Sequence, residues 1–470
     1  MSDLETVVGY VFLTAAACFV LGLHLMNSPA TARRGNLLSA GAMAVAVLAT
    51  VVLLVDRGTT TTTGWLVMVL GAATGSSIGL YAARRVQMTA MPQLVSLFNA
   101  VGGGAAALLA VTHLLQATGS TEPAERITVP AALDILIGAV TFTGSLVAAG
   151  KLQGVVPGRP IVFRGARATT AALGLGFGTG AVWLVLDPGS PAALLLLVTA
   201  ALVFGVTMVL PIGGADMPVV ISLLNAFTGT AVAMAGFVLD QAALIIAGAL
   251  VGASGGILTK LMADAMNRSI ANIVVGGFGT GDSAPAIAAG AGAAVRTVTA
   301  DDVAIQLAYA GKVIVVPGYG LAAAQAQHEL ADLAQVLEQH GVDVSYAIHP
   351  VAGRMPGHMN VLLAEANVPY PLLKDMDEIN PEFPQADVAL VIGANDVTNP
   401  AARRPGNAIS GMPILDVDRA RSIVVVKRSM GHGYAGIDNE LYTNPRTGMF
   451  FSDAKQAMTT LKGAVQTLVG

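Results

Sequence analysis

The stretch KVIVVPGYGLAAAQAQHEL, residues 312–330, decides the fold of the C-terminal part of the chain. Val313 to Val316 form a run of β-branched residues that predicts a strand buried on both faces. PGYG then interrupts the run. Leu321 to His340 reads as a helix, with Leu330, Leu333 and Leu337 on one face. Gly318, Gly320 and Ala323 make a G-x-G-x-x-A turn at the junction. A strand-to-helix junction is the context in which such a turn carries a dinucleotide. Small residues let the backbone approach a phosphate, and a helix N-terminus adds partial positive charge. The same turn occurs in sheets that hold no ligand, so further signals are needed.

The pattern repeats outward. DVSYAIH (343–349), ADVALVIGA (386–394) and SIVVVK (422–427) read as strands, while HMNVLLAEAN (358–367) and SDAKQAMTTLKGAVQTLV (452–469) read as helices. Short apolar strands alternating with helices predict a parallel α/β sheet with helices on both faces. One part of the fingerprint is missing. The second strand ends at His349, where an acid would be needed to bind a ribose 2′-hydroxyl. Lys427, Arg428 and Ser429 stand instead at a later strand end, the edge where such sheets bind ligands, and they suit a phosphate. A solvated basic turn is the bland alternative. Together these features favour NADP(H) over NAD(H).

Everything upstream has a different solvent. The 470 residues are 54% hydrophobic and 11% charged, against about 25% charged in soluble proteins. The charges are sparse before residue 300. A net charge of −4 gives no sign of a nucleic-acid partner. The single cysteine, Cys18, excludes an internal disulfide and a cysteine metal cluster, and no metal site is expected. The start, MSDLETVVGYVF, carries Asp3 and Glu5 ahead of its apolar run with no Lys or Arg, so it resembles neither a signal nor a transit peptide. The first run is expected to persist as a span.

Nine apolar runs, near 6–26, 36–55, 64–83, 94–117, 130–150, 169–187, 191–210, 217–239 and 241–262, are long enough to cross a membrane. Loops after odd-numbered runs hold Arg33, Arg34, Arg84, Arg85, Lys151, Arg159, Arg164, Arg167, Lys260 and Arg268. Loops after even-numbered runs hold only Arg57 and Arg126. Ten cations against two place the N-terminus outside and the chain after the ninth run in the cytoplasm. The expected architecture is a polytopic all-α membrane domain over 1–268, a Gly/Ala-rich linker over 269–297, and a cytoplasmic Rossmann-like α/β parallel-sheet domain over 298–470.

Polar residues within the spans each need a reason. Asn99 lies in the fourth run and Asn225 in the eighth, which Asp216 opens. Helix–helix hydrogen bonding and helix capping are the bland readings. Asp134 and His113 are read as interfacial.

Several longer blocks carry a resemblance. They are PGYGLAAAQAQ (317–327), IHPVAGRMPGHMNVLLAEANVPY (348–370), MDEIN (376–380), VIGANDVTNPAA (391–402), VVVKRSMGHGYAG (424–436) and IGGADMPVVISLLNAFTG (212–229). In their order they resemble the beta subunit of proton-translocating nicotinamide nucleotide transhydrogenase over essentially the full length. The resemblance implies a membrane domain that conducts protons inward and a C-terminal domain that binds NADP(H). An alpha subunit, of one chain or two, would hold NAD(H), and hydride would pass directly between the nucleotides. A dimer of the heteromer in a bacterial inner membrane is implied as well. The nucleotide would lie inverted relative to the usual Rossmann mode. Gly318, Tyr319, Gly320 and Ala323 would line it, Lys427, Arg428 and Ser429 would take its 2′-phosphate, and Tyr434, Ala435 and Gly436 would fold over it. Val351, Ala352, Gly353, Gly393 and Ala394 would complete the pocket. Asn395, His349 and Arg354 join Asp396 as the candidate catalytic group, with Asp396 coupling protons to nucleotide binding. Asp216, Asn225 and Asn99 would lie on the proton path. Many members carry a histidine where this chain has Asn99, which does not titrate. Either a partner subunit supplies the histidine, the expectation here, or the path uses water and Asn225. The alternative function is a transporter or channel gated by a nucleotide-sensing domain, which leaves the long blocks around His349 and Asp396 unexplained.

Overall fold

The computed structural model describes residues 3–26, 29–58, 60–117, 125–158, 160–163, 165–213, 216–266, 269–271, 273, 295–353, 357–405, 407, 409–431, 433 and 435–469. Most of the segment read as a linker, together with Arg159, Arg164, Arg268, Arg354 and Tyr434, lies outside the described residues. Two compact units are present, one helical and one α/β.

Among the described residues, nine helices are long and apolar enough to cross a membrane. They are α1 (Asp3–Leu25), α2 (Pro29–Arg57), α3 (Thr62–Arg85), α4 (Met91–Ala117), α5 (Glu125–Gln153), α6 (Ala166–Leu186), α7 (Pro191–Val209), α8 (Met217–Val238) and α9 (Ala242–Ala265). Each coincides with one apolar run. Even α7, with 19 residues, is about 28 Å long at 1.5 Å per residue, close to a hydrocarbon core. Small residues set the helix spacing. A Cβ added to Gly138 of α5 would lie 2.5 Å from the Gly103 carbonyl oxygen of α4, and one on Gly248 of α9 would lie 2.4 Å from Ala233 N of α8.

The α/β unit opens with Thr297, which bridges to Met449. Val298 N donates to Met449 O at 3.0 Å, and Met449 N to Arg296 O at 2.8 Å. Thr299 and Asp302 then form a reciprocal capping box at the start of α10 (Ala300–Ala308). The strands are β1 (Lys312–Pro317), β2 (Asp343–Ile348), β3 (Leu373–Asp375), β4 (Val388–Ile392), β5 (Ser422–Lys427) and β6 (Thr447–Phe451). They pair in parallel in the order β3-β2-β1-β4-β5-β6. The order reverses between β1 and β4, the switch point at which open α/β sheets leave a crevice at their carboxyl ends.

Alternation along each strand feeds two cores. Val313, Val315, Val344, Tyr346, Leu390 and Val424 face one side, where they meet Leu330, Leu333 and Leu337 and the C-terminal helix through Met458 and Leu461. Ile314, Val316, Ala389, Val391, Ile423 and Val425 face the other, against Phe383, Leu415, Leu441 and Tyr442. Helices were expected on both faces, but the longer helices share the first. The second is covered by short turns such as Met376–Ile379, Asn380–Gln385 and Glu440–Thr443.

The helix expected over 321–340 is two helices, α11 (Tyr319–Ala323) and α12 (Gln327–Gln339). Gln325 at φ +50° breaks it, and Ala326 N turns back to Leu321 O at 3.2 Å. Strands β3 and β6 and helix α10 lie outside the elements predicted from the sequence. The first strand has three residues, and the second contains Gly448 and ends on the exposed Phe451.

Candidate functional site

The predicted nucleotide-site residues that are described come from the carboxyl ends of β1, β2, β4 and β5. Gly318 and Gly320 follow β1 directly. Gly318 N donates to Ile392 O at 2.9 Å, and Gly320 N to Gly393 O at 3.0 Å. A Cβ on Gly318 would lie 2.5 Å from Ala394 Cα, and one on Gly320 would lie 2.6 Å from Gly393 Cα. Gly393 itself has φ +64°, a conformation that glycine adopts without steric penalty. The glycines of the fingerprint therefore bring two loop backbones together at the switch point. Their amides are engaged by protein carbonyls, which departs from the usual phosphate-cradling role. Ala323, the third small residue of the motif, is exposed, whereas its neighbour Ala322 is buried.

Beyond β2, His349 is 1% exposed. Its Nε2 lies 2.8 Å from Pro413 O, and Val351 N donates to its Nδ1 at 3.2 Å. That pair of contacts defines the neutral tautomer with the proton on Nε2. Burial lowers the imidazole pKa to about 4, opposed by the bond to Pro413. His349 thus ties the turn through Val351 and the buried Ala352 to the segment after β4. Gly353, at φ +101°, packs against the His358 ring.

After β4, Ala394 is buried and Asn395 and Asp396 are half-buried. Asp396 Oδ2 accepts from Ala435 N at 3.0 Å, and a Cβ on Gly433 would lie 2.4 Å from Asp396 Oδ1. The carboxylate therefore grips the glycine-rich loop that follows β5, in which Gly436 is exposed at φ +69°. At the end of β5, Lys427 is half-buried, while Arg428 and Ser429 are exposed. Lys427 Nζ donates to Gly431 O and stands 4.6 Å from the Tyr442 ring centroid. Burial lowers the ammonium pKa, and the Asp396 carboxylate opposes that shift. Two cations and a hydroxyl at a strand carboxyl end form a donor set that fits a phosphate dianion.

Sequence reading missed Asn439 and Tyr442, which hold Asn395. Asn439 Nδ2 donates to Asn395 O at 3.0 Å, and Tyr442 Oη to Asn395 Oδ1 at 2.9 Å. No local pattern marks them, because they sit in a short turn some forty residues downstream.

In the helical unit, Asn99 is 4% exposed and its Nδ2 donates to Ile221 O of α8 at 3.3 Å. Gln93 and Ser96 share its face of α4, and they donate to Leu152 O at 3.3 Å and Ser145 O at 2.8 Å of α5. This polar stripe was also missed. Asn225 is half-buried in α8, and Asp216 immediately precedes that helix. Asp134, read as interfacial, is fully buried in α5 beside a core of Ala131, Ala132 and Ile135. Lys151, read as a loop cation, is buried too. Its Nζ donates to Leu210 O and, at 2.7 Å, to Ile212 O, closing the C-terminal end of α7.

The family model described as NAD(P) transhydrogenase beta subunit matches residues 8–464. A relative named NAD(P) transhydrogenase subunit beta, from Rhodospirillum rubrum, is 46% identical over 457 residues, covering 95% of this chain and 96% of the relative. A second sequence of that name, from a defined strain of the same species, matches to the same extent.

Proposed function

The chain belongs to the NAD(P) transhydrogenase beta-subunit family, and from that premise we propose that it binds NADP(H) and exchanges hydride with NAD(H) held on an alpha subunit, coupled to inward proton movement. The enzyme is an oxidoreductase, and the chain is a multi-pass membrane protein. The observation that carries the cofactor assignment is the cluster of Lys427, Arg428 and Ser429 at the carboxyl end of β5.

In this reading the bound nucleotide supplies the hydride chemistry, and the protein residues bind, orient and exclude water. Lys427, Arg428 and Ser429 hold the 2′-phosphate. Gly318, Tyr319, Gly320 and Ala323, with Val351, Ala352 and Gly353, line the nucleotide. Because the Gly318 and Gly320 amides are already bonded, this turn offers contact surface more than phosphate ligands, which supports the inverted orientation. His349 holds the Val351 turn in place, and Arg354 completes that segment. Gly393, Ala394, Asn395 and Asp396 close the site from β4. Asp396 grips the loop at Ala435, and with Tyr434 and Gly436 that loop forms the lid. A carboxylate that gains a proton accepts hydrogen bonds less strongly, so protonation of Asp396 loosens the lid and links nucleotide release to the proton path.

Asp216, Asn225 and Asn99 lie on that path, and the partner supplies the titrating histidine. One charge crossing 100 mV is worth about 2.3 kcal/mol, enough to displace an exchange whose two carriers perform the same chemistry. The membrane is a bacterial inner membrane, with the α/β domain (298–470) cytoplasmic, tethered by 269–297 to the proton-translocating domain (1–268). The functional unit is a dimer of the heteromer.

Calorimetry on the full chain in detergent tests the cofactor assignment. NADPH binds and NADH binds far more weakly. Lys427→Ala/Arg428→Ala lowers NADPH affinity by about a hundredfold and leaves NADH unchanged. Equal binding of both nucleotides by the unmodified chain would overturn the assignment.

A further inference from the structure

Tyr442 connects two parts of the site that the glycine turn and the basic segment leave separate. It is 3% exposed, in the turn Glu440–Thr443. Its single hydroxyl proton is shared between Asn395 Oδ1 at 2.9 Å and Ala394 O at 3.3 Å. Asn439 Nδ2 reaches the same Asn395 Oδ1 at 3.1 Å, so the amide orientation of Asn395 is fixed from two sides. On the ring face, the Lys427 ammonium sits 4.6 Å from the centroid, within the range of a cation–π contact. Burial pushes the phenol pKa above its ordinary range.

We propose that Tyr442 is a positioning residue with two separable duties: its ring seats Lys427 at the end of β5, and its hydroxyl orients Asn395 beside Asp396. The inference rests on the NADP(H) reading of this site. A lysine side chain is flexible, and binding through it requires that its rotamers be fixed. The ring and Gly431 O fix them in advance. One ammonium proton goes to Gly431 O, leaving others to meet a phosphate. The hydroxyl acts on the other side of the site, on the segment that closes it from β4.

The two duties predict two phenotypes in the full chain assembled with its NAD(H)-binding partner. Tyr442→Phe keeps the ring and loses the hydroxyl. It leaves the KM for NADPH within about twofold and lowers kcat about fivefold, as loss of one hydrogen bond implies. Tyr442→Leu loses both, so KM for NADPH also rises about tenfold. The KM for the NAD(H) analogue on the partner stays unchanged in both. The inference is overturned if Phe and Leu shift the same parameters alike, if Phe matches the unmodified enzyme, or if the partner's KM moves. Failure of the unmodified chain to prefer NADPH would bring down the cofactor reading and this inference together. A preserved preference with unseparated variants brings down this inference alone.

Discussion

His349 illustrates how a titratable residue can serve a site while staying neutral. Its ring nitrogens contact Pro413 O and Val351 N, an arrangement that a second ring proton would break. Burial lowers its pKa from the usual 6.5 to about 4. The unfolded chain therefore binds a proton between pH 6.5 and 4 that the folded domain refuses. The stability this residue contributes is fully present above pH 6.5 and is lost progressively as pH falls through that window, by about 3 kcal/mol at most. Hydrogen-exchange protection of the β1 and β4 amides, corrected for intrinsic rates, should fall from pH 7 to pH 5, and His349→Gln should flatten the decline. Constant protection across that range in the unmodified chain would contradict the account. At this scale the sequence was least informative. It singled out His349, Asp396 and Lys427, but of the groups that restrain them Pro413 and Tyr442 carry no periodic signal, and Ala435 was named only for its place over the nucleotide.

Among the elements, legibility follows burial. Strands β1, β4 and β5 are buried on both faces, so their sequences are continuous apolar runs that stand out. The Leu330, Leu333 and Leu337 stripe likewise marks α12. Strand β3 is too short to establish a period. The break between α11 and α12 depends on one residue, Gln325, whose left-handed backbone no motif announces. The glycine turn was legible as a motif, but its local purpose emerged only with the fold, because its closest neighbour is the backbone after β4. Gly320→Ala forces a methyl to within 2.6 Å of Gly393 Cα. Overpacking of this kind costs about 1–3 kcal/mol, so the variant should unfold at lower denaturant concentration and bind NADPH more weakly. Unchanged stability would show that the two loops can separate freely.

For the whole molecule, the nine spans among the described residues were legible because length and hydropathy alone define a crossing helix. Orientation rests on the cation asymmetry of the loops, and Lys151 weakens that asymmetry by one, since it is buried against α7. Nine cations against two keep the same expected orientation, with the N-terminus outside. In a Cys18→Ala background, an impermeant maleimide should label Gly189→Cys in intact cells, and should label Val155→Cys only after permeabilisation. The opposite pattern would invert the topology. The bridge between Thr297 and Met449 has a practical consequence for anyone who wishes to isolate the α/β domain. A fragment begun at residue 298 would keep Val298 but discard Arg296, leaving Met449 N on the outer flank of β6 without its acceptor. A bare flank of that kind recruits strands from other molecules. Such a fragment would therefore tend to self-associate in solution, whereas one begun at 295 would carry its own cover and stay monodisperse.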